Sequence, residues 1–230
     1  VACTAAVFFD VDFTLIHPGP RFQDVGYQAS CARYGIVVDP AAFDAAVAGA
    51  SSVLDSADES HDGQLYVAYT RRIIELMGGT GPHVETVAQE MYDDWAHHRY
   101  FSLYDDVLDA LGRLRSAGVR IGLISNGNRC LESFQSHFEL DGLIAVAVSS
   151  SECGFMKPHP RIFQAALDRM HVEAPEAAMV GDNLRHDVMG AIRIGMRGIW
   201  LARGGATRPV EDSVVVIQSL AALPDILEAG

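Results

Sequence analysis

Five short runs of consecutive apolar residues punctuate the chain: AAVFFDV (5–11), VRIGLIS (119–125), LIAVAVS (143–149), AAMVGD (177–182) and RGIWLA (197–202). A run without polar alternation marks a strand covered on both faces. The stretches between them carry a helical period instead. In DDVLDALGRLRSA (105–117), Val107, Leu108, Leu111 and Leu114 share one face, acids lead, and Gly118 is the stop. The spacing predicts further helices over 128–138, 159–170, 186–194 and 217–228. Strand and helix alternate from about residue 101 to the end. That alternation predicts a parallel sheet with helices on both faces.

Residues 17–100 break the rhythm and contain no convincing strand. FQDVGYQASCARYG (22–35) and DPAAFDAAVAGA (39–50) read as helices, the second with Asp39 as N-cap and Pro40 at the first helical position. In SHDGQLYVAYTRRIIELMGG (60–79), Leu65, Tyr69, Ile73, Leu76 and Met77 share a face, and Gly78 ends it. PHVETVAQEMYDDWAHHRY (82–100) is a fourth helix, and the acidic stretch DSADESHD (55–62) is a solvated loop. A helical module of about 80 residues is therefore expected between the first strand and the rest of the sheet.

Composition narrows the function class. The chain has 230 residues, 49% hydrophobic and 20% charged, within the range of globular proteins. A net charge of −13 argues against nucleic acid and against an anionic membrane as partners. Cys3, Cys31, Cys130 and Cys153 are scattered with no CxxC pair, a pattern suited to small buried or surface thiols in a reducing cytosol. No apolar run approaches the roughly 20 residues of a membrane helix, and no signal peptide is visible. A cytoplasmic location is the expectation.

The polar residues fall where the apolar runs stop. The first run ends in Asp10 and Asp12, with Thr14 two residues on; VRIGLIS ends in Ser125, before Asn126 and Gly127; AAMVGD ends in Asp182, before Asn183, with Asp187 four residues further. In an open parallel sheet the carboxyl ends of the strands share one edge, and ligands bind there. Asp10, Asp12 and Asp182 should converge, with Asp187 nearby. Bare carboxylates about 4 Å apart repel by about 4 kcal/mol at an effective dielectric of about 20, so such a group protonates or holds a cation. Hard oxygen ligands with room for water and phosphate suit Mg²⁺. Hydroxyls of Thr14 and Ser125, the Asn126 amide, the Gly127 backbone and Lys157, in GFMKPHPRIF, supply donors for an anion. One set of residues thus offers a nucleophile, an acid/base, a metal site and an anion clamp.

At these residues the chain resembles the haloacid dehalogenase superfamily of hydrolases. Four motifs appear in order: D-x-D-x-T as Asp10-Val11-Asp12-Phe13-Thr14, S/T-N as Ser125-Asn126, a lysine as Lys157, and G-D-x-x-x-x-D as Gly181-Asp182 to Asp187. The resemblance covers nearly the whole chain. It implies an α/β, Rossmann-like parallel-sheet core, residues 1–16 and 101–230, with residues 17–100 as an inserted C1-type (subfamily I) α-helical cap domain. It implies a Mg²⁺-dependent phosphatase for a small phosphorylated metabolite. Asp10 would attack phosphorus to form an aspartyl-phosphate, and Asp12 would protonate the leaving oxygen and then activate water. Asp10, the carbonyl of Asp12 and Asp182 would hold Mg²⁺. Asp187 is a further ligand or a helix N-terminal acid, and Asn183 a water-mediated metal contact or a helix cap.

One departure stands out. The family pattern has glycine where this chain has Phe13, a ring near the entrance that either restricts substrate size or weakens activity. Among the remaining candidates, His97 and His98 read as an exposed helix end, His17 as a possible contact, and Trp95 and Tyr69 as cap core. Three rivals remain: a 2-haloacid dehalogenase, which has no need of Asp12; a phosphomutase; and a non-catalytic phosphate-binding or interaction protein. The particular substrate and the oligomeric state are not written in these residues.

Overall fold

The run Ala6–Phe9 forms strand β1 in the computed structural model, which describes residues 4–55, 59–205 and 214–228. Cys3 and positions 56–58 of the acidic stretch lie outside the described residues. After β1 come β2 (Ile16–Pro18), α1 (Asp24–Ala32), α2 (Phe43–Asp55), α3 (Gly63–Leu76), α4 (Val84–Trp95) and β3 (Phe101–Leu103). The chain continues through α5 (Val107–Ser116), β4 (Arg120–Ser125), α6 (Leu131–His137), β5 (Ile144–Ser149), α7 (Ser150–Cys153) and α8 (Pro160–Met170). It ends with β6 (Ala177–Gly181), a π-helical turn Leu184–Met189 running into α9 (Gly190–Ile192), β7 (Arg197–Leu201), β8 (Val215–Ile217) and α10 (Leu223–Glu228). The chain divides into two units, Val1–His17 with Leu103–Gly230, and Pro18–Ser102.

The first unit is the sheet. Its six strands run in the order β5-β4-β1-β6-β7-β8, every neighbouring pair parallel. The chain leaves β1 for β4 and β5 on one side and returns to β6, β7 and β8 on the other. The reversal of direction therefore lies at β1, where the carboxyl ends of β4, β1 and β6 open a crevice. This is a Rossmann-like α/β sheet flanked by helices. Phe8, Ile124, Val148 and Met179 pack with Ile162, Phe163 and Leu167 of α8 in one continuous core. Burying such side chains is worth about 1.5–3 kcal/mol each, which fixes the strand ends in place.

The second unit is mainly helical. Val67, Ile73 and Ile74 of α3 and Val87, Ala88 and Met91 of α4 are buried. Phe22, Trp95 and Phe101 form an aromatic cluster with ring centroids 4.6–5.4 Å apart, in which Phe22 and Phe101 are buried and Trp95, expected as core, is half-buried. Tyr69 is half-buried and burial pushes its phenol up. Asp39 accepts from the Ala41 N–H at 3.0 Å, the expected cap, on a 3-10 turn begun by Pro40.

Several boundaries differ from the sequence reading. Leu108 is 51% exposed, and Ala110 takes its place on the buried face of α5 with Val107, Leu111 and Leu114. On α3, Leu76 is exposed while Ile74 is buried. A helical period locates a stripe, but the neighbour decides which edge of it is covered. The expected helix 217–228 begins as β8, passes a 3-10 turn capped by Ser219, and becomes α10 only at Leu223. The expected helix 186–194 is the π-helical turn and α9. Strand β2 reaches into the stretch expected to be strand-free and pairs with β3 in a separate two-stranded sheet. At three residues, IHP gives no apolar run to read. Cys31, Cys130 and Cys153 are free thiols. Among the described residues no helix is long and apolar enough to cross a membrane.

Candidate active site

Hydrogen bonding carries β1 one residue past its end: the Asp10 N–H donates to Val180 O at 2.9 Å, which places the Asp10 side chain beside the end of β6. The chain then turns sharply. Leu15 N–H donates to Val11 O at 2.9 Å and Phe13 N–H to Ile16 O at 2.7 Å. The turn requires a left-handed residue, and Phe13 supplies it with φ +63°. That conformation costs an L-residue about 1–2 kcal/mol and costs glycine nothing. The glycine of the family pattern thus corresponds to a backbone requirement, and the Phe13 ring is 44% exposed. Phe13→Gly is expected to be more stable than Phe13→Ala by about 1 kcal/mol, a melting difference of about 2–4 °C. Equal melting temperatures would show that φ strain is not what distinguishes the two.

Three carboxylates, those of Asp10, Asp182 and Asp187, offer oxygens within 4.8 Å of one another. Lys157, buried in the loop after α7, sits among them. Its Nζ donates to Asp10 Oδ1 at 2.5 Å, to Ile124 O at 2.8 Å, and pairs with Asp187 Oδ1 at 2.7 Å. Burial pulls this ammonium down, but Asp10 and Asp187 outweigh burial and hold it above the usual lysine range. Burial first, then the charges of Asp10 and Asp187, push the Asp182 carboxyl up to about 8. Burial, with Asp10 adding and Lys157 opposing, raises Asp187 to about 6. Fully ionised, three carboxylates against one ammonium would carry a surplus of −2, and the raised Asp182 and Asp187 carboxyls express that crowding. All the ligand atoms are hard oxygens, so donor chemistry and charge both fit a divalent cation such as Mg²⁺.

Thr14 ties the first motif to the last. Its hydroxyl lies 3.2 Å from Asp10 Oδ2 and 3.4 Å from Asp182 Oδ1 as donor, and accepts the Asp182 N–H at 3.1 Å. Gly181 makes room for Asp187: a Cβ there would lie 2.2 Å from Asp187 Oδ2. The π-helical turn brings Asp187 back toward the strand, where Oδ2 accepts the Asn183 N–H at 3.0 Å. Asn183 Oδ1 accepts the N–H groups of Arg185 and His186, at 3.1 and 2.9 Å, so of its two expected roles the structure shows the cap.

The donors expected for an anion are partly committed elsewhere. The Asn126 carboxamide clamps the Lys157 backbone from both sides, Nδ2 to Lys157 O at 3.0 Å and Lys157 N–H to Oδ1 at 2.7 Å. The Gly127 N–H donates to Ser150 Oγ at 2.9 Å. Ser125 is buried at the end of β4. The Asp12 carboxylate is not among the three clustered carboxylates; it pairs with Arg129 Nη2 at 2.9 Å. Arg129 was missed by sequence reading, because a lone arginine three residues after Asn126 carries no motif. His17 packs against Tyr104, ring centroids 5.0 Å apart, and Arg203 stacks 3.8 Å from the Tyr104 centroid while donating to Thr14 O at 2.9 Å. His97 is exposed and His98 half-buried, in a turn after α4.

The raised carboxyl of Asp182 has a consequence for stability. A carboxyl whose folded value exceeds its unfolded one binds more protons when folded, so its contribution falls as pH rises from about 4 to about 8. In metal-free buffer Asp182→Asn is therefore expected to gain stability over the native protein progressively across that window, and to bind Mg²⁺ far more weakly. Melting curves in EDTA check the first part and calorimetry the second; a constant stability difference across the window would contradict the charge balance described here.

The chain matches the family described as haloacid dehalogenase-like hydrolase over residues 4–195. It is 38% identical over 112 residues to a glyceraldehyde 3-phosphate phosphatase of Pyrococcus abyssi, 47% of each chain being covered. The solved structure of a HAD phosphatase from Thermococcus onnurineus is similar at 25% identity and a TM-score of 0.66, covering 96% of this chain and 97% of that one. A 2-haloacid dehalogenase from Pseudomonas syringae pv. Tomato DC3000 is similar at 26% identity and a TM-score of 0.65, covering 97% and 98%. The chain spans about half to three fifths of the length of the curated relatives it matches.

Proposed function

Because the chain belongs to the haloacid dehalogenase-like hydrolases, we propose that it is a Mg²⁺-dependent phosphatase acting on a small phosphate monoester through an aspartyl-phosphate on Asp10. The observation that carries this reading is the convergence of the Asp10, Asp182 and Asp187 carboxyl groups around a single ammonium, Lys157, an excess of acid that a cation would balance. A phosphate dianion cannot approach an anionic nucleophile without a compensating cation, whereas an uncharged carbon–halogen centre has no such need. Asp10, the Asp12 carbonyl and Asp182 would hold Mg²⁺, with Asp187 close by. When bound, the ion would neutralise charge on the transferring phosphoryl group.

The chain's own groups do the rest. The Lys157 ammonium donates to one oxygen of Asp10 and fixes the orientation of that carboxylate. Thr14 aligns Asp10 with Asp182. Asp10 attacks phosphorus while Asp12 gives its proton to the leaving oxygen; Asp12 then takes a proton from the water that cleaves the acyl phosphate. Ser125 is the candidate donor to phosphate oxygens. Asn126 acts through Lys157, whose loop it holds. The helical unit Pro18–Ser102 is read as the C1-type cap, the source of substrate selection among small phosphorylated metabolites.

Nitrophenyl phosphate hydrolysis that disappears with EDTA and returns with Mg²⁺ is the expected result, followed by a screen of phosphorylated metabolites. The dehalogenase rival has the similarity to a 2-haloacid dehalogenase in its favour. Faster release of halide from 2-haloacids than of phosphate from any ester would establish it and overturn the phosphatase.

A further inference from the structure

The loop that follows β4 sends a second cation to the site. The Arg129 side chain is 2% exposed, and its Nη2 donates to Asp12 Oδ1 at 2.9 Å, Asp12 itself being 19% exposed. We propose that Arg129 is the positioning residue for Asp12: it holds this carboxylate in the orientation from which it gives a proton to the leaving oxygen and takes one from water. This assignment rests on the phosphatase reading above.

Three observations converge on it. The first is the division of charges. Lys157 serves Asp10 and Asp187, and Arg129 serves Asp12, so each aspartate of the first motif has its own buried cation. The pairing separates the carboxylate that must attack from the one that must move a proton. The second is cost. Burying a guanidinium carries a desolvation penalty of several kcal/mol, and apolar residues of similar volume often stabilise a fold as well or better. A charge retained at such a place, on one oxygen of a partly open carboxylate, points to orientation rather than to stability. The third is the neighbourhood of Asp12. Phe13 takes a left-handed turn immediately after it, and the backbone bridges from Asp12 to Ile16. The turn sets where the Asp12 side chain begins, but not the two torsions that aim its carboxylate. A proton donor must come within about 2.6–3.2 Å of its acceptor, and a fixed donor from the protein holds that aim.

The test compares two esters whose leaving groups differ in their need for a proton, nitrophenyl phosphate and a simple alkyl phosphate. With Mg²⁺ present, quenched single-turnover reactions give the rate of Asp10 phosphorylation for each. Arg129→Met is expected to slow the alkyl ester at least about tenfold more than the aryl ester, since acid help worth about 10²–10⁴-fold matters only for the poor leaving group. Arg129→Lys should fall between the two proteins. In an Asp12→Asn background, Arg129→Met should cost no further rate on either ester, because the group it positions has gone. That double variant leaves no charge unpaired, and Arg129→Lys keeps the charge, so the comparison survives if Arg129→Met alone does not fold. Equal losses on both esters, or additive losses in the double variant, overturn the assignment of Arg129 alone. A native protein that hydrolyses neither ester overturns the phosphatase reading itself.

Discussion

Asp10→Asn is expected to abolish turnover, with a loss on the order of 10⁴–10⁶-fold, the range found when a covalent nucleophile is removed. A carboxamide is a poor nucleophile and cannot form the acyl phosphate. Fold is not expected to suffer, because the substitution removes one of three mutually repelling carboxylates and leaves Lys157 paired with Asp187 at 2.7 Å. The readout is specific. Mass spectrometry of protein quenched during turnover should show a phosphate adduct on native Asp10 and none on the variant. An adduct should accumulate in Asp12→Asn given nitrophenyl phosphate, because formation then needs little acid help while hydrolysis still needs a base. Turnover of Asp10→Asn within tenfold of native would remove Asp10 from the nucleophile's role.

Lys157→Met is expected to be the most damaging substitution for activity and stability together. The lysine is buried, and its three donors reach Asp10, Asp187 and the Ile124 carbonyl. Removing one partner of a buried pair typically costs about 3–5 kcal/mol, because the remaining charge is left uncompensated. Here the remainder is three carboxylates, so Asp182 and Asp187, already raised to about 8 and about 6, are driven further up. Groups raised in the folded state lose stability as pH climbs toward their folded values. In EDTA the variant should therefore melt increasingly below the native protein as pH rises above about 6, where native Asp187 and then Asp182 give up protons that the variant still holds, and Mg²⁺ should narrow the gap. Activity should fall on the order of 10³-fold, as when one preorganised donor is lost from an active site. A pH-independent melting difference that Mg²⁺ leaves unchanged would show that Lys157 does not balance this cluster.

The sequence made the sheet legible because parallel strands buried on both faces are unbroken apolar runs, and because each run ends where its chemistry begins. Val7–Phe9 followed by Asp10, and Met179–Gly181 followed by Asp182, need only that rule. The edge strand β8 was not read, and its last residue, Ile217, was taken as the start of a helix, because three residues carry no decisive period. Leu108 and Leu76 were misplaced for a related reason: spacing gives a stripe, and only the neighbouring element decides which edge of it is wet. Asp10 and Asp182 were legible from strand ends, but Asp12, expected in the same group, lies outside it, and Asp187, expected only nearby, completes it from the π-helical turn. What could not be read was how the polar groups share partners. Asn126 looked like an anion donor and instead grips the Lys157 backbone, a partner 31 residues on. Arg129 meets Asp12 across 117 residues, and nothing local marks either end of that pairing. Phe13 was visible as a departure, but the left-handed backbone that accounts for the family's glycine is a property of the turn as a whole.

The clamp at Asn126 also bears on how long a molecule of this protein lasts. An asparagine followed by glycine is prone to deamidation, in which the glycine nitrogen attacks the side-chain carbonyl, ammonia departs and a ring forms that reopens to aspartate or isoaspartate. The flexible chain offers no resistance to that closure. In the fold, both partners of the reaction are engaged: the carboxamide is bound from two sides by Lys157, and the Gly127 nitrogen is directed to Ser150. The contacts that place the lysine therefore also shield the site from chemical ageing, and each excursion to the unfolded state exposes the Asn126–Gly127 bond to it.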